Sequence, residues 1–397
     1  MVKDSALIMH PRSELPQPDT VALAHSRRVV DLLRRDIATQ GGTVGFDRFM
    51  ELALYAPGLG YYSAGAHKLG AGGDFVTAPE VSPIFSRCLA AQCAEVLQHL
   101  GGGSVLELGA GSGAMACDVL TELARLKQLP DCYFILEVSA DLRERQQNRV
   151  QSLLPELAQR VRWLGSLPAL PMRGVILANE VLDALPVARF RWCDGVLAEL
   201  AVREVDDGFA WIGCQPRSGF DAAIAALLGA CPDGYTSEWN PALAPWVGAV
   251  AAALNAGLIL FLDYGYPRHE FYHPQRMDGT LRCHFRHHAH GDPFLWPGLQ
   301  DITAAVDFTA VAEAAITNGL TVRGFTTQAH FLIGCGLEQA VRDLADAGVR
   351  ERAVLSRQVQ ILTLPGEMGE SVKVMGLTRN LAISLRGFSG PDHRHRL

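Results

Sequence analysis

Hydrophobic and polar positions along this chain follow a helical period first and then a strand–helix alternation. From Asp19 to Ile37 the apolar residues Val21, Val29, Leu32, Leu33 and Ile37 recur at helical spacing with basic residues between them, and Phe46 to Leu54 reads as a second short helix. Ser82 followed by Pro83 marks a third start, a hydroxyl N-cap with proline at the first helical position. That helix runs to about Leu100, where three glycines stop it. The pattern then reads strand 104–108, helix 114–127, strand 132–137, helix 139–150 and strand 173–178, with a further strand Leu258–Leu262 ending in Asp263-Tyr-Gly-Tyr266. Short apolar runs bounded by helices and turns describe a parallel sheet covered on both faces. Ligands on such sheets bind beyond the C-terminal strand ends, so chemistry is expected just after each strand.

Insertions separate these elements. Residues 187–213 alternate as β-hairpins do, 220–255 is largely helical, and 266–305 is long and loop-rich, a length that points to function or disorder. Phe308–Ala315, Thr321–Thr326, helical stretches at 336–346 and 351–363, and Val372–Leu385 follow. The predicted division is a helical N-terminal segment 1–75, a core 76–386 with insertions at about 187–255 and 266–305, and a tail 387–397 whose His393-Arg-His395-Arg396 is expected to be disordered. The uncharged stretch Trp239–Leu262 is broken by Pro241, Pro245, Asn255 and Gly257. It reads as a helix followed by a buried strand, not as a membrane span.

Composition narrows the class only a little. With 397 residues, 49% hydrophobic and 19% charged, the chain is globular, and a net charge of −7 gives no electrostatic reason to expect nucleic acid. Nine cysteines are scattered without a C-x-x-C pair, which suggests reduced thiols in a cytoplasmic protein. Met1 to Leu15 shows neither signal nor transit pattern.

The chemistry concentrates at three strand ends. Residues 104–113 read Ser-Val-Leu-Glu-Leu-Gly-Ala-Gly-Ser-Gly. Gly109, Gly111 and Gly113 let the backbone turn tightly against a ligand, and the helix from Ala114 aims its N-terminus there. Glu107, two residues before the first glycine, suits a ligand carrying amine, hydroxyl or positive charge, as S-adenosylmethionine does. Gly109-x-Gly111-x-x-Ala114 also satisfies the loose dinucleotide pattern, but a carboxylate so near the turn would repel a pyrophosphate. Glu137, ending Tyr133-Phe-Ile-Leu-Glu137, is placed to hold two ribose hydroxyls, or to cap the helix near Ser139, or both. Asn179 and Glu180 follow the strand Gly174–Leu177 and should lie where a methyl-donor sulfur points. Asp183 shares a helical face with Glu180 if this stretch is helical, and two carboxylates match the donor fork of arginine; a capping or surface role for Asp183 is the alternative.

These residues carry a family likeness. The chain resembles the MidA-like family of S-adenosylmethionine-dependent methyltransferases through 72–82 (Gly-Gly-Asp-Phe-Val-Thr-Ala-Pro-Glu-Val-Ser), Glu107–Gly113, Leu136–Ser139, Asn179–Pro186, Leu262–Tyr266, Gly279–Arg282, Asp292-Pro293 with Pro297-Gly-x-Gln-Asp301, and Val306–Phe308. The resemblance implies a class I methyltransferase (Rossmann-like) α/β fold with an N-terminal helical segment and β-hairpin and helical insertions. It further implies S-adenosyl-L-methionine as cofactor and S-adenosyl-L-homocysteine as product. Residue by residue it places Gly72, Gly73, Asp74, Thr77, Pro79 and Glu80 in a loop folding over the cofactor, Glu107, Gly109, Gly111 and Gly113 in the cofactor turn, and Glu137 at the ribose. For mitochondrial members it implies symmetric dimethylation of an arginine on a respiratory complex I subunit, so the expected partner is a protein presenting an arginine. The chain departs from the family with Ala110 where proline is usual, and with Ala-Ala before Val306 in place of Ala-His.

Glu180, Asn179 and Asp183 are therefore the catalytic candidates, with Asn179 also on the cofactor. Two other functions stay open: methylation of a small molecule or another protein side chain, and a non-catalytic cofactor-binding assembly factor. Cys283-His284-Phe-Arg-His287-His288-Ala-His290 invites a zinc reading, but Arg282 and Arg286 would repel a cation, and a substrate-facing loop is preferred. Of Tyr61, Tyr62, Tyr264 and Tyr266, the first two are expected to pack an ordinary loop.

Overall fold

A continuous apolar run between turns makes a strand that can be buried on both faces; such runs form the middle of a seven-stranded central sheet, with the mixed sequences Val161–Leu164 and Thr321–Thr327 at its edges. The computed structural model describes residues 11–64, 76–228, 231–344 and 349–397. The strands are β1 (Ser104–Leu108), β2 (Tyr133–Leu136), β3 (Val161–Leu164), β4 (Met172–Asn179), β5 (Leu254–Tyr266), β6 (Thr321–Thr327) and β7 (Val372–Arg379). Their order is β6-β7-β5-β4-β1-β2-β3, with the short strand Val306–Asp307 added on β5. β3, β2, β1, β4 and β5 pair in parallel. β7 runs antiparallel to both β5 and β6, which corrects the expectation of a wholly parallel sheet. A strand buried on both faces carries no alternation to reveal its direction, so Val372–Leu377 reads alike either way.

Helices cover both faces. On one side α3 (Pro83–Leu100) and α4 (Ala114–Arg125) pack Phe85, Leu89, Leu97, Val119 and Leu123 against Val105, Val175 and Leu260. On the other, α6 (Leu243–Ala252) and α7 (Phe308–Thr317) pack Val247, Val250, Phe308 and Val311 against Leu106, Ile176 and Phe261. The predicted start of α3 is present, with Ser82 Oγ accepting from Ile84 N at 3.3 Å. α5 (Ala140–Leu153) follows β2.

The insertion at 188–239 folds as its own sheet. Strands Ala188–Cys193, Val196–Val205, Gly208–Cys214 and Thr236–Trp239 join Thr43–Gly45 from the N-terminal segment. α1 (Thr20–Thr39) and α2 (Phe46–Tyr55) pack on that sheet, where Phe49 meets Phe209 and Phe294. The largely helical reading of 220–255 is thus corrected: Thr236–Trp239 is a strand, because its backbone pairs antiparallel with Ala188–Arg191 in the insertion sheet. Within 266–305 the strands Arg282–Phe285, His288–His290 and Asp301–Thr303 form a three-stranded sheet.

The C-terminal residues are ordered, contrary to expectation. β6 is an edge strand whose free backbone groups need partners. His393 N donates to Phe325 O at 2.6 Å, Thr326 Oγ1 to Pro391 O at 2.7 Å, and Arg394 Nη1 to Val322 O at 3.2 Å. Among the described residues, no helix is long and apolar enough to cross a membrane.

Candidate functional site

Beyond the C-terminal ends of β1, β2 and β4 lies a cavity of about 400 Å³. Its floor is the glycine turn. Gly109, Gly111 and Gly113 have φ of 66°, 53° and 80°, a left-handed backbone that side chains rarely adopt, so this turn requires glycine. Gly109 and Gly111 line the cavity. Gly113 does not; it caps α4 and sits against Gln146, acting through the turn's shape. Gly72, Gly73 and Asp74 lie outside the described residues.

Acidic groups surround the floor. Glu107 is buried and accepts a 2.5 Å hydrogen bond from Tyr133 OH; burial, against that bond, pushes its carboxyl up to about 7. Glu137 lines the cavity and accepts from Ser139 N at 2.9 Å and Gln146 Nε2 at 3.0 Å, so it holds the start of α5 and faces the ligand space together. Gln146 also donates to Gly111 O at 2.9 Å and accepts from Trp163 Nε1 at 2.9 Å. This fully buried glutamine ties the glycine turn to the second strand end, a role its place in a polar helix did not signal.

The short helix Ala78–Val81 closes one side. Thr77, Pro79 and Glu80 line the cavity. Glu80 accepts from Ser112 Oγ, and Arg149 bridges Glu80 (3.7 Å) and Ser112 O (3.1 Å). The N-terminal motif therefore grips the glycine turn directly.

Asn179 and Glu180 stand at the end of β4. Glu180 has φ of 52°, a strained conformation for a non-glycine residue. Its N–H donates to Leu262 O at 2.8 Å. The next three N–H groups, of Val181, Leu182 and Asp183, converge on Asp263 Oδ2 at 3.1, 2.8 and 3.3 Å. Asp263 also accepts from Tyr264 N at 2.8 Å. That clamp fixes the loop, so the expected helical face shared by Glu180 and Asp183 is absent and the stretch 180–186 is a turn. Asp183 does not line the cavity; it is buried behind Glu180.

Burial, reinforced by Asp263, pushes the Glu180 carboxyl up to about 8, while Ala78 N (3.3 Å) and Asn179 Nδ2 (3.2 Å) hold its Oε1. Asp183 is raised well above the usual carboxylate range by burial and by Asp263, Asp301 and Glu180. Asp301, buried, accepts from Tyr62 OH at 2.8 Å. Tyr62 stacks on Tyr55 at 5.5 Å between ring centroids, and both line the cavity, which corrects the packing role expected of Tyr62; Tyr61 does pack in the core. Asp263 was visible as the residue after the strand Leu258–Leu262 and Asp301 only inside a family block, neither with a role attached. The Cys283–His290 segment forms two paired strands, and no cluster of three or more metal-ligating side chains occurs among the described residues.

The lining fits a cationic nucleoside. Asn179 Oδ1 is buried with no hydrogen-bond partner, an acceptor suited to an ammonium donor. Leu108, Leu136, Val138, Leu142 and Leu167 offer an apolar slot for a base, and Glu137 stands where ribose hydroxyls can donate. Glu80, Glu107, Glu137 and Glu180 line the cavity and no Lys or Arg does among the described residues, which disfavours a pyrophosphate and with it the dinucleotide reading.

Comparison with known proteins agrees with this lining. A family model for S-adenosyl-L-methionine-dependent methyltransferases matches residues 88–326. A crystal structure from Burkholderia thailandensis bound to S-adenosyl-homocysteine is 41% identical, with a TM-score of 0.93 over 97% of this chain and 100% of that one. The mitochondrial protein arginine methyltransferase NDUFAF7 homolog of Drosophila melanogaster is 29% identical over 93% of this chain and 89% of its own length. The Homo sapiens protein arginine methyltransferase NDUFAF7 is 26% identical over 85% and 80%. The sheet order, the glycine turn and these matches together place the chain in the MidA-like family of S-adenosyl-L-methionine-dependent methyltransferases, with the class I fold.

Proposed function

We propose that this methyltransferase acts on the side chain of an arginine in a protein. The observation that carries the proposal is Glu180: a carboxylate held in a left-handed turn on the cavity wall, backed by Asp183, Asp263 and Asp301. A guanidinium matches such a site, because its planar donor fork pairs with carboxylate oxygens and its charge relieves their mutual repulsion. The relatives named as protein arginine methyltransferases support the same acceptor.

The cofactor supplies an electrophilic methyl on a sulfonium. The protein's part is positioning and electrostatics. Glu180 orients one guanidinium nitrogen toward the glycine turn; an N–CH₃ bond forms as the S–CH₃ bond breaks, and the proton lost by that nitrogen passes to Glu180. Asn179 holds the cofactor's ammonium, and Thr77, Pro79, Glu80, Glu107, Gly109, Gly111 and Glu137 shape its pocket. Asp183 acts from behind Glu180, and Gly113 through the turn.

The finer reading follows the family resemblance: symmetric dimethylation of a complex I subunit. Nine free cysteines suit a reducing, cytoplasmic setting.

The test is transfer of labelled methyl groups from S-adenosyl-L-methionine into extract proteins of a strain lacking the gene, followed by hydrolysis and residue analysis. Label in symmetric dimethylarginine is expected, and Glu180→Gln should lower transfer about 100-fold, as loss of a group acting in the transition state does. Label confined to small molecules or to another residue would reject arginine.

A further inference from the structure

A second cavity, of about 380 Å³, lies against the first and has no role in the chemistry above. The two share their partition. From the turn after Glu180, Val181, Ala184 and Leu185 face the cofactor cavity, whereas Leu182 faces the second. From α6, Trp246 and Val250 face the first and Leu243 and Ala244 the second. The wall is rigid, because Asp263 clamps the N–H groups of Val181, Leu182 and Asp183, and Ala304 N donates to Asp183 O at 2.9 Å. Whatever lies in the second cavity is thus held at a fixed, short distance from Glu180.

The chemistry of this cavity selects its occupant. Its interior is apolar, with Leu182, Val187, Leu227, Trp239, Phe271 and Val306 among its walls. Its charges are largely satisfied internally. Arg268 is forked onto Glu313 (2.8 and, through its second nitrogen, 2.6 Å) and reaches Asp307 at 3.1 Å, and Glu238 is engaged by Arg189 at 3.2 Å. Among the described residues the one guanidinium in its lining is therefore spoken for, carboxylates outnumber it, and an anionic ligand is disfavoured. Its neutral polar groups are engaged locally as well: Asn240 Oδ1 accepts from Ala242 N at 3.0 Å, Thr317 Oγ1 donates to Glu313 O at 2.8 Å and Asn318 Nδ2 to Ala314 O at 2.8 Å, which leaves the apolar walls to select the ligand.

We propose that this cavity is a docking subsite for an apolar side chain of the acceptor protein, in a segment of basic or neutral character that also carries the arginine. The proposal rests on the arginine reading of the first cavity and adds a sequence preference to it. Helix α6 stands in the partition, and a helix with its side chains is roughly 10 Å across, so the two cavities are about that far apart. An extended chain covers that in about three or four residues. The anchoring residue therefore lies three or four positions from the methylated arginine.

The test uses the full-length enzyme with S-adenosyl-homocysteine bound and a set of synthetic peptides. Each holds one arginine in a glycine chain and one leucine moved from six positions before it to six after. Calorimetric affinity should peak with leucine three or four residues away on one side, about tenfold above the leucine-free peptide (~1.4 kcal/mol). Ala244→Trp and Ala310→Trp, which fill the second cavity from two different helices, should each abolish that gain. S-adenosyl-homocysteine binding and methylation of the leucine-free peptide should stay unchanged in both. Methylation of all peptides alike, with flat affinity across leucine positions, would overturn the subsite and leave arginine as acceptor. A position-dependent affinity lost in both variants, without methylation of any peptide, would support the subsite and reject arginine as acceptor. Flat affinity with no methylation would overturn both.

Discussion

Glu180 joins backbone strain, burial and charge in one residue. Its φ of 52° was invisible in the sequence, since nothing in Ala-Asn-Glu-Val distinguishes a glutamate in a left-handed turn from one opening a helix. Asp263 is the reason: a carboxylate on the neighbouring strand collects three successive N–H groups and prevents the helix. That Glu107, Gly109, Gly111, Glu137 and Asn179 meet at one cavity was legible because each stands at a strand end, whereas Asp263, Asp301 and Gln146 act across the sheet. The Glu180 carboxyl, pushed up to about 8, holds a proton at neutral pH in the ligand-free site. A guanidinium must displace that proton, so kcat/KM should rise with pH up to about 8 and level off above it, approaching tenfold per unit well below that value. A pH–rate profile of wild type and Asp263→Glu, both of which keep Glu180, should show this limb. A flat profile from 6 to 9 would show that Glu180 is already ionised in the free enzyme.

At the scale of elements, the strand–helix order of the core could be read from periodicity, but pairing could not. β7 is antiparallel, Thr236–Trp239 is a strand between the helices Phe220–Leu227 and Leu243–Ala252, and the C-terminal residues cover the β6 edge; each depends on partners distant in sequence. The same holds for the segment Ala78–Val81, whose place is set by Glu80 on Ser112 and Arg149 and by Ala78 N on Glu180. This short helix has few backbone bonds of its own, so its docking depends on those contacts. Glu80→Ala should weaken S-adenosyl-homocysteine binding about tenfold (~1.4 kcal/mol) while leaving the denaturant midpoint nearly unchanged. Calorimetry beside urea unfolding separates the two; equal affinity would mean that the helix seats without Glu80.

Across the whole molecule, the site is built at the expense of stability. Glu107 and Glu180 bind protons more tightly when folded, at about 7 and about 8 against an ordinary 4.5. The folded state then holds more protons than the unfolded one, and stability falls as pH rises. The contribution is complete below about pH 4.5 and is lost as pH rises through 7 to 8. The ligand-free protein should therefore melt lower at pH 8.5 than at pH 6, and an arginine-bearing peptide should raise the midpoint more at the higher pH, where it meets ionised carboxylates. Differential scanning calorimetry at the two values checks this; a higher midpoint at pH 8.5 would contradict the burial of protonated carboxyls. The three strand ends, the covering helix and the second cavity meet around the single turn 180–186, and the account stands on what that turn faces. A crystal structure of the complex with S-adenosyl-homocysteine tests this most directly. The account predicts ribose hydroxyls on Glu137, the amino group on Asn179 Oδ1 and the sulfur turned toward Glu180; a nucleoside bound elsewhere, or a sulfur facing away from Glu180, would contradict it.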